Sequence, residues 1–353
     1  MPIIEPLHDP ARRGFASDNY SGVHPDILDA VARANGGHQS SYGNDAYTAR
    51  LQEVVKHHFG PDAVAYPMFN GTGANVTALQ AVLPRWGAVV CAKTAHINVD
   101  EGGAPERVGG LKLYPVDTPD GKLTPALIDK EAWGFGDEHR AQPLAVSITQ
   151  STELGTLYTP DEIRAICEHA HGLGMVVHLD GARLWNAHVA TGVSLADYGR
   201  LFDTVSVCFS KGLGAPVGSM LVSDGATIAR ARGQRKRLGG GWRQAGILAA
   251  AADYALDHHV ARLADDHLAA QGFAAEVAAL AGDAVDPAAV HTNIVVLNTG
   301  TQPARDVVAA AAREGVLLSV VGEQAARAVT HLDVSAAQCA EAGRIVGGLL
   351  ARA

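Results

Sequence analysis

The segment Val176-Val177-His178-Leu179-Asp180-Gly181-Ala182-Arg183 ends an apolar run on an acid, and a second apolar run, Val205 to Phe209, leads into Ser210-Lys211-Gly212. If both runs are strands of a parallel sheet, Asp180 and Lys211 stand at its carboxyl edge, where ligands of open α/β folds bind. A Lys at such an edge, followed by Gly and small residues, can have its pKa depressed by low-dielectric surroundings and become a nucleophile. Taken singly, a strand-end Asp reads as a turn cap and a Lys as a solvent contact. Together they meet a narrower demand. A Lys to form a Schiff base and an Asp to pair with a protonated pyridine nitrogen are what pyridoxal phosphate requires.

Two further segments could serve the same ligand. Phe69-Asn70-Gly71-Thr72-Gly73-Ala74-Asn75 follows a strand pattern and opens a helix pattern, so its leading amides, the helix dipole and a Thr hydroxyl could bind a phosphate. No Gly-Lys-Ser/Thr follows, and Val76 breaks a GxGxxG, so neither nucleotide fingerprint is present. A plain strand–turn–helix connection would read the same way. Thr94-Ala95-His96-Ile97 places a His just past another strand; alone, such a His is usually structural.

The elements that must position these residues alternate along the chain. Strand candidates are Ala63–Phe69, Ala88–Ala92, Leu111–Val116, Leu144–Thr149, Met175–Asp180, Thr204–Phe209 and Val217–Val222. Several are apolar almost throughout, which predicts strands covered on both faces. Helix patterns lie between them at Ala74–Leu83, Pro125–Ala132 and Pro160–Leu173, the last with Thr159 as N-cap, Pro160 at N1 and acids in its first turn. After Val222 come a basic helix over Asp224–Arg237, a Gly239-Gly240-Gly241 break and a long Ala-rich helix over Ala245–Leu280. Strands near Asn293–Asn298 and Ala328–Leu332 and a last helix over Ser335–Ala351 complete the pattern. At roughly 150 residues per domain the length suggests two domains. The boundary is expected near residue 255, giving domains 1–255 and 256–353.

Composition limits the partners. Against 37 acidic residues stand 28 Lys and Arg, a net charge of −9, which is a poor footprint for a nucleic-acid backbone. The start has no apolar core of signal-peptide length and no run is long enough to span a membrane, so no membrane partner is expected. The four cysteines are widely spaced without a CxxC pair; Cys91 and Cys208, in strand-like runs, read as buried thiols, and a cytoplasmic protein is expected. Arg230, Arg232, Arg235, Lys236, Arg237 and Arg243 form a basic cluster without an acid, read as a solvated helix face except at Arg243.

HLDGAR at 178–183, SKGLGAPVGS at 210–219, LGGGWRQAG at 238–246 and RAVTH at 327–331 occur in that order. With Phe15-Ala16-Ser17-Asp18-Asn19, they make nearly the whole chain resemble the pyridoxal-phosphate-dependent threonine aldolases, in the aromatic amino acid β-eliminating lyase group of the aspartate-aminotransferase-like superfamily. The resemblance implies an α/β protein of the PLP-dependent transferase fold (fold type I). It would have a large PLP-binding domain with an N-terminal arm and a seven-stranded, mainly parallel sheet, and a small C-terminal α/β domain.

By the same resemblance, Lys211 would hold the cofactor covalently and Asp180 would pair with its ring nitrogen. Arg183 would sit near the phenolic oxygen or the substrate carboxylate. Gly71 and Thr72 would bind the phosphate, helped by Arg243 from a neighbouring subunit. His96 would stack on the ring and assist proton transfer, while Ser17 and Arg327 would complete a carboxylate clamp. The implied assembly is a homodimer or homotetramer with shared active sites, and the implied reaction is cleavage of L-threonine, L-allo-threonine or a related β-hydroxy-α-amino acid to glycine and an aldehyde. A β-eliminating lyase or a phenylserine-type aldolase would carry the same motifs; a non-catalytic pyridoxal-phosphate-binding protein would leave the clamp without a substrate.

One stretch departs from the family. Many relatives carry Thr-His-Asn in the loop after the fourth strand, with its His near the β-hydroxyl. Here the corresponding stretch is Thr149-Gln150-Ser151-Thr152-Glu153-Leu154-Gly155-Thr156, without a His. Gln150 is left to bond the cofactor edge. His96, a water and the cofactor phosphate all remain open as the base for the hydroxyl proton, and with that choice the threo/erythro preference.

Overall fold

A computed structural model describes Leu7, His8 and Gly14–Ala351. Positions 1–6 and 9–13 of the expected N-terminal arm, and 352–353 at the C-terminus, lie outside the described residues. The chain divides into two compact units, Gly22–Ala264 and Met1–Ser21 with Asp265–Ala353.

The first unit is built on seven strands: β1 Val64–Met68, β2 Gly87–Ala92, β3 Lys112–Val116, β4 Gln142–Thr149, β5 Val176–Gly181, β6 Thr204–Cys208 and β7 Ser219–Ser223. Their order in the sheet is β1-β7-β6-β5-β4-β2-β3. From β6 to β3 all neighbours are parallel, whereas β7 runs against both β6 and β1. All seven expected strands are present, with no end shifted by more than two residues. Strands β2 and β6 are buried along their whole length, as near-continuous apolar runs in a two-sided sheet must be. Because β1, β2, β4, β5 and β6 share one direction, the segments that leave their C-terminal ends collect at one edge.

The helix Gly71–Val82 is buried on almost every side, which suits its weakly amphipathic Ala, Val and Leu content. The helix Pro160–Gly172 begins as its sequence requires. Thr159 caps it, Glu162 returns a bond to the Thr159 amide at 2.7 Å, and Pro160 sits in the first turn. Among the described residues, no helix is long and apolar enough to cross a membrane.

Two expectations require correction. The long helix over Ala245–Leu280 is two helices, Ala245–His258 and Leu263–Leu280. Neither Gly nor Pro marks the break at 259–262; tertiary hydrogen bonds from His259 and Arg262 override a strong local helix preference. Nor is the basic cluster a uniformly solvated face. Arg235 is buried, its guanidinium 3.9 Å from the centroid of the Tyr66 ring and bonded to the Pro67 carbonyl at 2.7 Å.

The second unit carries the antiparallel sheet β8-β10-β9, with β8 Ile294–Asn298, β9 Ser319–Gly322 and β10 Ala325–Val329. Strand β10 lies three residues earlier than expected at both ends. Helices Leu263–Leu280, Ala304–Arg313 and Ala336–Leu350 enclose a core that includes Phe273, Val277, Leu297 and Val346, joined by Phe15 from the N-terminal segment.

Candidate active site

The sheet edge brings together five of the expected residues. Gly71 and Thr72 open the helix after β1, His96 follows β2, Asp180 lies at the end of β5 and Lys211 follows β6. Asp180 pairs across the ladder with Thr149 on β4 and Ser206 on β6. The β-strand alternation puts His178 and Asp180 on the same face, two residues apart.

Asn75, on the second turn of the helix Gly71–Val82, organises this face and is 1% exposed. Its Nδ2 donates to Asp180 Oδ2 and to Glu101 Oε1, each at 2.9 Å. Its Oδ1 accepts from Ser206 Oγ at 2.7 Å and faces His178 Nε2 at 3.1 Å. Two carboxylates on the nitrogen side fix the amide's orientation, so His178 must donate from Nε2. Its Nδ1 is then the acceptor for Thr204 Oγ1 at 2.8 Å. Burial pushes His178 down to about 4, in keeping with a neutral ring at neutral pH. Asp180 uses its other oxygen to accept from the Ala182 amide at 3.0 Å.

His96 is held from two directions. Its Nδ1 lies 3.0 Å from Glu101 Oε1, and this hydrogen bond, against a burial penalty, raises its pKa above the ordinary histidine value. The fields of Asp180 and Lys211 also act on it, in opposite senses. Its main-chain amide donates to Glu153 Oε1 at 2.8 Å, and Thr149 Oγ1 donates to the same oxygen at 3.0 Å. Burial, followed by the charge of Asp180, pushes Glu153 up to about 7. Ligand atoms of His96, Glu101 and Asp180 lie within 4.8 Å of one another. The Asn75 amide donates to both acids and His96 Nδ1 meets one of them, so the group is one hydrogen-bonded cluster.

Lys211 Nζ lies 3.6 Å from Cys208 Sγ. A Cβ on Gly71 would come 3.3 Å from the same sulfur, so the amine and the helix start share one neighbour and Gly71 leaves room between them. Asn70 binds the Gly73 amide through its side chain at 2.8 Å and the Ala74 amide through its carbonyl at 3.0 Å. The Gly71 and Thr72 amides thus lead the helix, as an anion site needs. Trp185, stacked on Phe209, donates Nε1–H to the Cys208 carbonyl at 3.0 Å. All four cysteines are buried and unpaired, and burial pushes Cys91 and Cys167 up to about 12.

Of the other expected residues, Gln150 touches Asp180 through its main chain alone, its amide donating to the Asp180 carbonyl at 3.0 Å. Gln150 is 0% exposed; its Nε2 donates to the Tyr158 carbonyl and its Oε1 accepts from the Tyr158 amide, both at 3.0 Å. A third contact, Nε2 to Tyr198 Oη at 3.3 Å, completes a set that ties the side chain to Tyr158 and Tyr198. Arg183 is half-buried and precedes the helix Leu184–Thr191. Arg243 is exposed, and its carbonyl accepts from the Tyr42 amide at 3.1 Å. Ser17 and Arg327 belong to the second unit, Ser17 capping the turn Asp18–Tyr20 and Arg327 lying on β10 opposite Val296 and Ser319.

Sequence reasoning passed over Asn75, Glu101, His178 and Glu153 as functional residues. The signal for His178 was its same-face spacing from Asp180, and for Asn75 an amide among the small and apolar residues that open the helix.

Residues 14–299 match the family profile described as beta-eliminating lyase. A low specificity L-threonine aldolase from Escherichia coli K12 is 33% identical over 95% of this chain and 98% of its own length. One from Pseudomonas aeruginosa is 43% identical over 55% of this chain, and the match spans 57% of that relative. The solved structure of Leishmania major threonine aldolase superposes with a TM-score of 0.86 at 26% identity, covering 96% of this chain and 99% of that one. The architecture is fold type I, shared with aminotransferases. With the profile covering most of its length and the Escherichia coli protein matching nearly end to end, the chain belongs to the beta-eliminating lyase family.

Proposed function

We propose that this chain is a pyridoxal-phosphate-dependent aldolase that cleaves L-threonine, L-allo-threonine or a related β-hydroxy-α-amino acid to glycine and an aldehyde. One observation carries the reading: a braced Asp180 carboxylate and the Lys211 amine share a sheet edge with the start of the helix Gly71–Val82. These groups fit the cofactor chemically, as a fixed acceptor for a ring N–H, a primary amine and leading helix amides for a phosphate. Lys211 would hold it covalently, Asp180 would face its ring nitrogen and His96 would cover its ring. Gly71 and Thr72 would bind the phosphate, with Arg243 supplied by a second copy in a homodimer or homotetramer. Ser17, Arg183 and Arg327 are assigned to the substrate carboxylate. When bound, pyridoxal phosphate accepts the electron pair released as the Cα–Cβ bond breaks.

The protein's own contribution is proton placement. Asp180, with both oxygens engaged, keeps one orientation, in which it would stabilise a proton on a pyridine nitrogen placed against it. His96 gives its Nδ1 proton to the Glu101 hydrogen bond, so its neutral form presents Nε2 as an acceptor. The same bond makes the ring more basic. This supports His96, among the bases left open, as the group that takes the β-hydroxyl proton, a contribution of roughly 10²–10⁴ in rate. The buried cysteines are consistent with a cytoplasmic setting.

The test is turnover by protein supplied with pyridoxal phosphate. Glycine should appear from L-threonine, L-allo-threonine or phenylserine; pyruvate from serine without glycine from these would turn the reading to β-elimination. Lys211→Ala should lose the visible absorbance and the borohydride-fixed linkage, with turnover down by roughly 10⁴-fold or more, the scale on which removing a nucleophile acts. A Lys211→Ala protein with full turnover would sink the proposal.

A further inference from the structure

The segment Phe209–Gly218 carries the chain from β6 into the antiparallel β7, and its residues Gly212 to Ala215 are all buried. A buried main-chain carbonyl needs a donor, and this Gly-rich stretch offers few of its own. Each of three successive carbonyls is met from elsewhere in the unit. Arg262 Nη1 donates to Gly212 O at 3.2 Å, His259 Nδ1 donates to Leu213 O at 2.7 Å, and the His24 amide donates to Gly214 O at 3.2 Å. Within the turn, the Gly214 amide returns to the Lys211 carbonyl at 2.8 Å, with Gly214 in the left-handed region at φ +72°. On the other side of the lysine, Trp185 holds the Cys208 carbonyl.

The His259 ring is itself set in place. His24 meets it edge-on at 4.6 Å between centroids, and Tyr254 does so at 5.7 Å, while Tyr254 Oη is tied to Asp26 Oδ2 at 3.0 Å. Burial, with His24, Arg262 and His258 nearby, lowers the His259 pKa. A neutral ring has one N–H, and the Leu213 carbonyl requires it on Nδ1. The four residues between the helices Ala245–His258 and Leu263–Leu280 contain both side-chain donors, which gives the helix break a use.

We infer that His259 and Arg262 are positioning residues for Lys211, clasping the 212–214 turn so that the lysine leaves β6 in one fixed direction. The inference rests on the reading of Lys211 as the cofactor-binding amine. It adds that the reach of this amine is set from the helix break. Displacements of about 1 Å in a reacting group are enough to cost up to 10²-fold in rate, so a loosened turn should be felt at Nζ.

The experiment has one arm without cofactor and one with it. In the protein free of pyridoxal phosphate, amide hydrogen exchange over 210–215 should rise at least tenfold in His259→Leu and in Arg262→Met, while β2 keeps its protection. On adding pyridoxal phosphate, the rate of covalent capture at Lys211, fixed by borohydride and located by peptide mapping, should fall at least fivefold in both. His259→Asn, whose amide can place a donor where Nδ1 stood, should restore most of both readouts. Unchanged exchange and capture in the two variants would overturn the inference, as would a rise in exchange shared equally by β2. Should His259→Leu not fold, Arg262→Met decides alone. Wild-type protein that captures nothing at Lys211 would defeat the functional reading, and the exchange arm would still decide whether the clasp exists.

Discussion

Two buried side-chain amides lie near the same sheet edge, and they do different work. Asn75 donates to two carboxylates and accepts from a serine and a histidine. Gln150 binds both the amide and the carbonyl of Tyr158. The first amide joins two carboxylates and an imidazole, and so fixes the orientation of ionisable side chains. The second joins two main-chain groups and the Tyr198 hydroxyl, and closes the loop after β4 on itself. Chemical type and burial are alike; the partners distinguish an amide that braces ionisable side chains from one that closes a loop.

The contrast is open to direct attack. Asn75→Ala should have the largest effect, leaving two acids, Ser206 and His178 short of a buried partner. A loss of about 4 kcal/mol is expected from several unsatisfied groups in a low-dielectric site. Urea unfolding measures it, and the visible band of added pyridoxal phosphate should change as well. Gln150→Ala should cost about 3 kcal/mol, since two buried main-chain groups lose their partner. Its pyridoxal phosphate affinity should match wild type; a weakened affinity would erase the distinction between the two amides.

Glu153 sharpens the comparison because it sits in the Gln150 loop yet binds the His96 amide. Its folded pKa is pushed from the ordinary 4.5 to about 7. Between these pH values the folded protein retains a proton that the unfolded chain has released, so stability falls as pH rises through the window. Glu153→Gln should remove about 2 kcal/mol of that fall, measured by unfolding at pH 5 and pH 8. His96, whose pKa is also raised, adds a loss of the same sign as pH climbs past its folded value. That part should persist in both proteins. Identical slopes in wild type and variant would separate Glu153 from the charged network.

The strands and the Asp180–Lys211 pair were legible because apolar runs and their ends are local properties of a chain. The capping of Pro160–Gly172 was legible for the same reason: its Thr, Pro and Glu lie within one turn. What escaped depends on distant partners. Gln150 was expected at the cofactor edge from its place in a motif, but its direction is set by Tyr158 and Tyr198. Glu101 meets Asn75 across 26 positions of sequence, with no spacing rule to announce it. The helix break at 259–262 occurs among residues with no breaker, because its cause is a turn some fifty positions upstream.

Trp185 gives the molecule an optical gauge. Its indole is 2% exposed and reads the carbonyl of Cys208, three residues before the lysine, whereas Trp86 and Trp133 are exposed. A water-soluble quencher will silence those two first. The emission that survives should come from Trp185 and the half-buried Trp242, so in a Trp242→Phe protein the order of the lysine turn can be followed by fluorescence without a label.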